Sequence, residues 1–289
     1  MNSTIDGKLF NDYRSKSYRA EMKHEVDSEI SIVVRTRDVE NQLDHLFKLL
    51  KSQTAQISQL IVVDNYSNEK KLDEMRNFLS REKNNLLKEQ VQIKLVLLSN
   101  DEFTHQYSTN LGVSQADNEL VCIMNAHSFP ISSSWLEDGV RHFQDPEVAG
   151  VSGFFYQSNE SFGKKLFYLF EGPLKNIDWI STINCIIRKS KWKEYPFDEN
   201  LPRLIPEAKK YGGEDYDWTL EMLSRGYKVI LDPKFSVIHS HNRSLLPEIL
   251  RNLRNYFAYG KLREKIKKLD RPRESFTGVN YSEKKTEII

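Results

Sequence analysis

Apolar positions fall into two rhythms along the first half of the chain. Glu29-Ile-Ser-Ile-Val-Val-Arg35 is a short β-branched run between polar residues, the pattern of a buried strand. Asn41 to Ser52 then sets Leu43, Leu46, Phe47, Leu49 and Leu50 at helical spacing. Gln59 to Asp64 reads as a second strand and runs into polar Asn65-Tyr66-Ser67-Asn68. Lys70 to Lys88 is helical in composition and highly charged, so it predicts a solvent-facing helix. Val91 to Leu98 reads as a third strand, 106–117 as a helix and Leu120 to Met124 as a fourth strand. Trp135 to Phe143 follows as a further helix, ahead of the apolar run Val148 to Ser152.

That alternation predicts an α/β domain with a mostly parallel sheet. Ligands in such sheets bind beyond the carboxyl ends of the strands. The polar residues to examine are therefore Arg35-Thr36-Arg37, Asp64-Asn65, Asn100-Asp101 and Asn125-Ala126-His127.

The second half is less regular. Ile183 to Arg188 is apolar, and Tyr211-Gly-Gly-Glu-Asp-Tyr-Asp217 leads into a helix expected from Trp218 to Arg225. Val229 to Asp232 and Phe235 to Ile238 read as short strands, the second followed by His239-Ser240-His241. Leu245 to Lys268 is helical and basic, with Leu246, Ile249, Leu250, Leu253, Phe257 and Leu262 on its apolar side. Residues 1–27 read as a polar arm, and the residues after Pro272 as a polar tail.

Composition narrows the classes. The 289 residues are enough to bury a sizeable core, and a 39% hydrophobic, 29% charged chain is ordinary for a soluble protein. A net charge of +1 gives no global case for nucleic acid as partner. No apolar run approaches the roughly 18–20 residues of a membrane span, and the N-terminus lacks the apolar stretch of a secretory signal. Cys122 and Cys185 each sit in an apolar stretch, which reads as buried free thiols in a cytoplasmic protein.

Four constellations could carry chemistry. Asp64 closes an apolar strand, where its carboxylate could accept from a nucleobase or ribose, or simply cap a turn. Asn125-Ala126-His127 follows the fourth strand and could meet a diphosphate or a metal; a structural histidine is the plain alternative. Gly212-Gly213-Glu214-Asp215-Tyr216-Asp217 puts three acids beside two glycines. That arrangement serves either a general base near a substrate hydroxyl or an acid-rich helix N-terminus. His239 and His241 alternate on an extended segment, so both imidazoles could approach one ion.

Taken in order, these segments resemble the family 2 glycosyltransferases, inverting enzymes with the GT-A fold. The resemblance covers roughly residues 29–243. It rests on Ile32-Val33-Val34-Arg35-Thr36-Arg37, Leu60 to Ser67, Asn110-Leu111-Gly112, Ala116 to Val121, Pro130 with Trp135-Leu136, Asp145 to Gly150, Glu214-Asp215, Arg225-Gly226-Tyr227 and His239. It implies a Rossmann-like nucleotide-binding half with a mostly parallel central sheet (28–130) and a mixed acceptor-binding half (131–243). A basic helical segment (244–275) and a tail (276–289) would follow.

It also implies roles. Asp64 would bind the base, with Arg35, Thr36, Arg37, Asn65, Asn110 and Asn125 around the donor. Asp215 would be the general base and Glu214 would shape the acceptor site. The reaction would transfer a sugar from a UDP- or dTDP-sugar to a glycan or lipid-linked glycan hydroxyl, as in bacterial cell-surface polysaccharide assembly.

One departure matters. The family usually carries D-x-D after the fourth strand, and this chain has Asn125-Ala126-His127. A divalent ion would then rest on His127, His239 and His241, a softer set that favours manganese over magnesium. There is no Q-x-x-R-W segment, which reads as one sugar added per acceptor. The basic helix offers two readings, a helix packed on the catalytic domain or a peripheral contact with the inner face of the cell membrane. Two other functions compete: a catalytically silent relative that binds nucleotide or glycan, favoured by the lost D-x-D, and a sugar nucleotidyltransferase, disfavoured because nothing glycine-rich follows the first strand.

Overall fold

The computed structural model describes residues 29–38, 42–85, 91–156, 172–177, 179–239, 257–269, 281 and 286–289. The arm at 1–27, His241 and most of the basic segment at 244–275 lie outside the described residues.

The first half folds as its periodicity predicts. Strands β1 (Ile30–Thr36), β2 (Ile57–Asp64), β3 (Gln92–Leu97) and β4 (Leu120–Asn125) alternate with helices α1 (Leu43–Lys51), α2 (Glu69–Asn85) and α3 (His105–Ser114). β3, β2, β1 and β4 lie side by side and parallel, with Val34 opposite both Val62 and Met124. Beyond β4 come β9 (Asn184–Arg188), β6 (Val148–Ser152), β10 (Lys228–Leu231) and β8 (Leu174–Lys175), giving a nine-stranded sheet. β6 and β10 point the same way as β4, because β9 is antiparallel to both β4 and β6. The sheet is mostly parallel, as expected.

Alternation decides which side chain faces which layer. Ile32 and Val34 of β1 join one core with Leu46, Phe47 and Trp135, while Val33 joins the other with Leu111, Trp218 and Met222. Each such buried aliphatic side chain contributes roughly 1.5–3 kcal/mol. Gly112 lets α3 settle on the sheet: a Cβ there would lie 2.4 Å from Val33 Cγ1.

A smaller sheet joins β5 (Ser128–Pro130), β11 (Val237–His239) and β7 (Phe155–Tyr156). It holds the segment after β4 against the segment after β10, so His239 pairs with Ser128. The irregular half adds α4 (Trp135–Val140), α5 (Lys189–Glu194), α6 (Leu201–Leu204), α7 (Ala208–Tyr211) and α8 (Glu214–Ser224).

Four expectations need correction. The charged helix α2, expected to face solvent, buries Leu72, Met75, Phe78 and Leu79 in the core. The helix expected from Trp218 starts at Glu214, because Gly213 turns the chain in a left-handed conformation (φ 92°) and frees the next residue to begin the helix. The described part of the basic segment is a helix, α9 (257–267), and it is packed on the domain. Leu262 and Ile266 bury against Tyr216, Leu201, Ile205 and Ala208, while Phe257, expected on the apolar side, is 66% exposed. The end of the expected polar tail is a strand, β12 (Thr286–Ile288), antiparallel to β3. Arg76 anchors it by hydrogen bonds of 2.9 and 2.7 Å to Glu287.

Candidate active site

A cavity of about 1180 Å³ opens at the carboxyl ends of β1 and β4. Arg35, Thr36, Arg37, Asn65, Asn100, Asn125 and His127 line the side nearest the parallel strands. Glu214, Asp215, Lys210, Lys261 and Arg263 line the side formed by α7, α8 and α9. His239 reaches the same space from the small sheet.

Arg35 is the hub. Its Nη1 donates to Thr109 Oγ1 at 2.6 Å, and its Nη2 donates to Asn125 Oδ1 at 3.0 Å and to the Thr182 carbonyl at 2.9 Å. One guanidinium thereby ties β1, α3, β4 and the turn before β9. Burial lowers its pKa, while the neighbouring Glu214 and Asp215 charges act to raise it.

Glu214 and Asp215 open α8. Burial raises the pKa of Glu214, opposed by Arg35. Its Oε1 accepts from Thr182 Oγ1 at 3.4 Å. Asp215 is pushed up to about 7, first by burial and then by the Glu214 charge. Three donors favour its charged form and limit the rise: the Tyr216 N–H at 2.8 Å, the Thr182 N–H at 3.4 Å and the Trp179 side chain. A partly exposed carboxyl poised near neutrality in a cleft is suited to accept a proton.

His127 and His239 meet with ring centroids 4.5 Å apart and planes tilted by 38°. Ser128 Oγ lies 3.1 Å from His239 Nδ1 and fixes that ring. Among the described residues, no three His, Cys, Asp or Glu side chains converge to hold a metal ion.

Two residues expected to bind the donor stand back from the cavity. Asp64 is wholly buried at the end of β2, and its neighbour Asn65 lines the cleft instead. Asn110 is also buried, and its amide joins α3 to the loop after α5. Its Nδ2 donates to the Phe197 carbonyl at 2.7 Å and to Glu199 at 2.8 Å, and its Oδ1 accepts from Trp192 Nε1 at 2.8 Å.

Other cavity residues carried no signal in the sequence pattern. His105, the first residue of α3, has its pKa lowered to about 4 by burial and by Arg35, so its imidazole is neutral at pH 7. Trp179 and Thr182 come from an irregular turn without periodicity. Arg263 was counted only as part of a basic helix, yet its guanidinium lies 4.8 Å from the Trp179 ring centroid and 5.1 Å from that of Tyr216. Tyr259, from the same helix, has its hydroxyl pKa raised to about 12 by burial and by the Asp215 and Glu214 charges.

The model of the family described as Glycosyl transferase family 2 matches residues 31–211, well over half of the chain. The chain belongs to glycosyl transferase family 2. Among its relatives within known sequences is the O-antigen chain rhamnosyltransferase WbaN of Salmonella anatum. The two are 25% identical over 234 residues, covering 74% of this chain and 65% of the relative. A glucuronosyltransferase of Methanococcus voltae, named for a dolichyl N-acetyl-glucosaminyl phosphate substrate, is 21% identical over 220 residues, 69% of this chain and 62% of that protein. The chain therefore spans a little under two thirds of the length of these relatives.

Solved structures share the GT-A fold of this chain. The mannosyltransferase PcManGT of Pyrobaculum calidifontis, in complex with GDP-Man and Mn2+, superposes with a TM-score of 0.60 at 15% identity, covering 85% of this chain and 66% of its own. TarS of S. aureus (residues 1–349) superposes with a TM-score of 0.54 at 16% identity, covering 85% of this chain and 67% of its own. Among the described residues no helix is long and apolar enough to cross a membrane.

Proposed function

We propose that this family 2 member is an inverting glycosyltransferase. It moves one sugar per turnover from a nucleoside-diphosphate sugar, with UDP and dTDP the favoured carriers, to the hydroxyl of a glycan or lipid-linked glycan in cell-surface polysaccharide assembly. The observation that carries the proposal is Asp215, a cavity-facing carboxyl raised to about 7 and held by the N–H groups of Thr182 and Tyr216.

In the reaction the acceptor hydroxyl gives its proton to Asp215 as its oxygen attacks the anomeric carbon. The bond from that carbon to the diphosphate oxygen breaks, and the electron pair leaves with the nucleoside diphosphate. Attack opposite the leaving group inverts the centre in one displacement. Arg35 holds the Asn125 and Thr182 edges of the site in register. Arg37, Thr36 and Asn65 line the side where the nucleotide would lie.

His127 and His239, whose rings lie side by side, would be the residues to hold a divalent ion through their imidazole nitrogens. Such an ion would supply Lewis-acid stabilisation of the departing diphosphate.

The deciding experiment compares wild type with Asp215→Asn. Calorimetry with UDP, dTDP and GDP should find one nucleotide bound equally by both proteins. Sugar transfer from the matching donor should fall by about 10²–10⁴-fold in the variant. A wild type that binds none of these nucleotides and turns over no donor overturns the proposal and leaves a silent relative.

A further inference from the structure

We propose that Lys210, Lys261 and Arg263 form a subsite for a phosphate group on the acceptor, placed beside Asp215. This inference rests on the glycosyltransferase reading and names the acceptor chemistry of that same cavity.

Three observations carry it. The three cations come from two helices that bracket the start of α8: Lys210 from α7, and Lys261 and Arg263 from α9. All three line the cavity, and none is engaged in an ion pair with a carboxylate of the described residues. The packing of α9 is specific, because Leu262 and Ile266, between and after the two α9 cations, anchor the helix in the core around Tyr216.

The chemistry of the wall selects the ligand. Arg263 lies over the faces of Trp179 and Tyr216, which orients the guanidinium plane and leaves its edge donors for a bidentate oxyanion. Lys210 rests near the Tyr211 ring, 5.3 Å from its centroid. Glu264 is the one carboxylate that α9 adds to the lining, and Glu214 and Asp215 of α8 share this wall with the three cations. A guanidinium fork and two ammonium groups on one cavity wall match a phosphate group, which offers more acceptor oxygens than a single carboxylate. The donor's own diphosphate is expected at the other wall, where Arg37, Asn125 and His127 follow the parallel strands. The Glu214 charge, which would repel such an acceptor, is opposed by Arg35. An acceptor sugar linked to phosphate would thus place its phosphate on α7 and α9 and its hydroxyl at Asp215.

The test uses the full chain saturated with whichever nucleoside diphosphate it binds, so that the donor site is filled. Inorganic pyrophosphate, glucuronate and anionic phosphatidylglycerol vesicles are titrated separately into wild type, Arg263→Gln and Lys210→Ala/Lys261→Ala. The expected result is pyrophosphate binding that weakens about tenfold for each cation removed, with nucleotide affinity unchanged. Unchanged pyrophosphate affinity in both variants overturns the subsite. A parallel loss of nucleotide affinity overturns it too, by assigning the cations to the donor diphosphate. Glucuronate binding in place of pyrophosphate overturns the phosphate assignment. Cation-dependent vesicle binding without pyrophosphate binding assigns this face to a membrane instead. Failure of wild type to bind any nucleotide removes the glycosyltransferase reading and the subsite with it, a signal separate from those of the variants.

Discussion

The backbone N–H of Thr182 points at Asp215 Oδ2 across 3.4 Å, while the carbonyl of the same residue receives Arg35 Nη2 at 2.9 Å. Thr182 therefore couples the hub arginine of the parallel strands to the proposed base on α8. Loss of Arg35 should loosen this turn and leave Glu214 and Asp215 without their cationic neighbour. Arg35→Ala is expected to cost about 3 kcal/mol of stability and to move the acidic limb of the pH–rate profile up by about one unit. Arg35→Lys should restore most of the pH limb, through its charge, but little of the turnover, because it cannot fork to Asn125 and Thr182. An unmoved limb in Arg35→Ala would dismiss the coupling.

Asp215 itself dictates a pH dependence. Its raised pKa means that the basic form gains population as pH climbs towards about 7. Transfer should then rise close to tenfold per pH unit below that point and level off above it. Stability runs the other way. The proton on Asp215 favours the folded state in full below the ordinary carboxyl value of 3.8, and that contribution is lost as pH rises from there through the folded value of about 7. Asp215→Asn, neutral throughout, should thus melt higher than wild type at pH 8 and nearly equal to it at pH 4. Equal melting temperatures at pH 8 would show that the carboxyl is not perturbed.

His105 has the opposite sign. Its pKa falls to about 4 in the folded chain from an ordinary 6.5, chiefly through burial and then through Arg35, with Asp215 and the Lys210 carbonyl opposing. Stability from this group is complete above pH 6.5 and lost as pH drops through the folded value. His105→Gln should lessen the wild-type loss of stability between pH 7 and pH 5. The effect is on the order of 1–2 kcal/mol once solvent reaching part of the ring is allowed for. Urea midpoints at the two pH values measure it; parallel declines in both proteins would rule it out.

Most of the frame was readable because burial imposes a period. Ile32 and Val33 point into opposite cores, and a strand with both faces covered is the only element that reads as an unbroken β-branched run. Gly213 was readable because a positive φ leaves glycine as the favoured residue, whereas Gly112 entered only through the resemblance and its approach to Val33 belongs to the fold. The burial of Asp64 was not readable, because strand termini look alike in sequence whether the last side chain turns into the cleft or into the interior. Thr182 and Trp179 were invisible, since a turn that works through backbone donors leaves no pattern in side-chain type. Arg263 was visible only as charge. Its place between two aromatic rings depends on Leu262 and Ile266 docking α9, a long-range contact that no local spacing encodes. Likewise Tyr281 closes on Glu199 with a 2.6 Å hydrogen bond, across a separation no window spans.

Gly213 offers a test of how α9 forms its wall. The residue has φ 92°, and a Cβ there would sit 3.0 Å from both Ile266 Cδ1 and Leu262 Cδ2. Gly213→Ala should cost about 1–2 kcal/mol in backbone strain, with further loss from crowding of the helix contact. Because the crowding pushes on α9, the acceptor KM should rise more than the nucleotide dissociation constant. A variant with wild-type urea midpoint and wild-type KM would mean that α9 is not seated on Gly213.

The last prediction concerns Asn125-Ala126-His127, the segment at the end of β4. The described side chains there offer two imidazoles, and Asn125 Oδ1 is already engaged by Arg35. Imidazole ligands without carboxylate hold hard magnesium poorly and manganese better. Nucleotide affinity measured by calorimetry should therefore tighten more with manganese than with magnesium, and His127→Ala should abolish the difference. His239→Ala should do the same if both rings share the ion, because His239 is fixed by Ser128 at 3.1 Å and stands one ring-width from His127. Nucleotide binding that ignores manganese in wild type would remove the metal role from both histidines. The departing diphosphate would then have to be met by protein donors alone, and Arg37, which lines the cleft next to the hub arginine, becomes the first cation to replace.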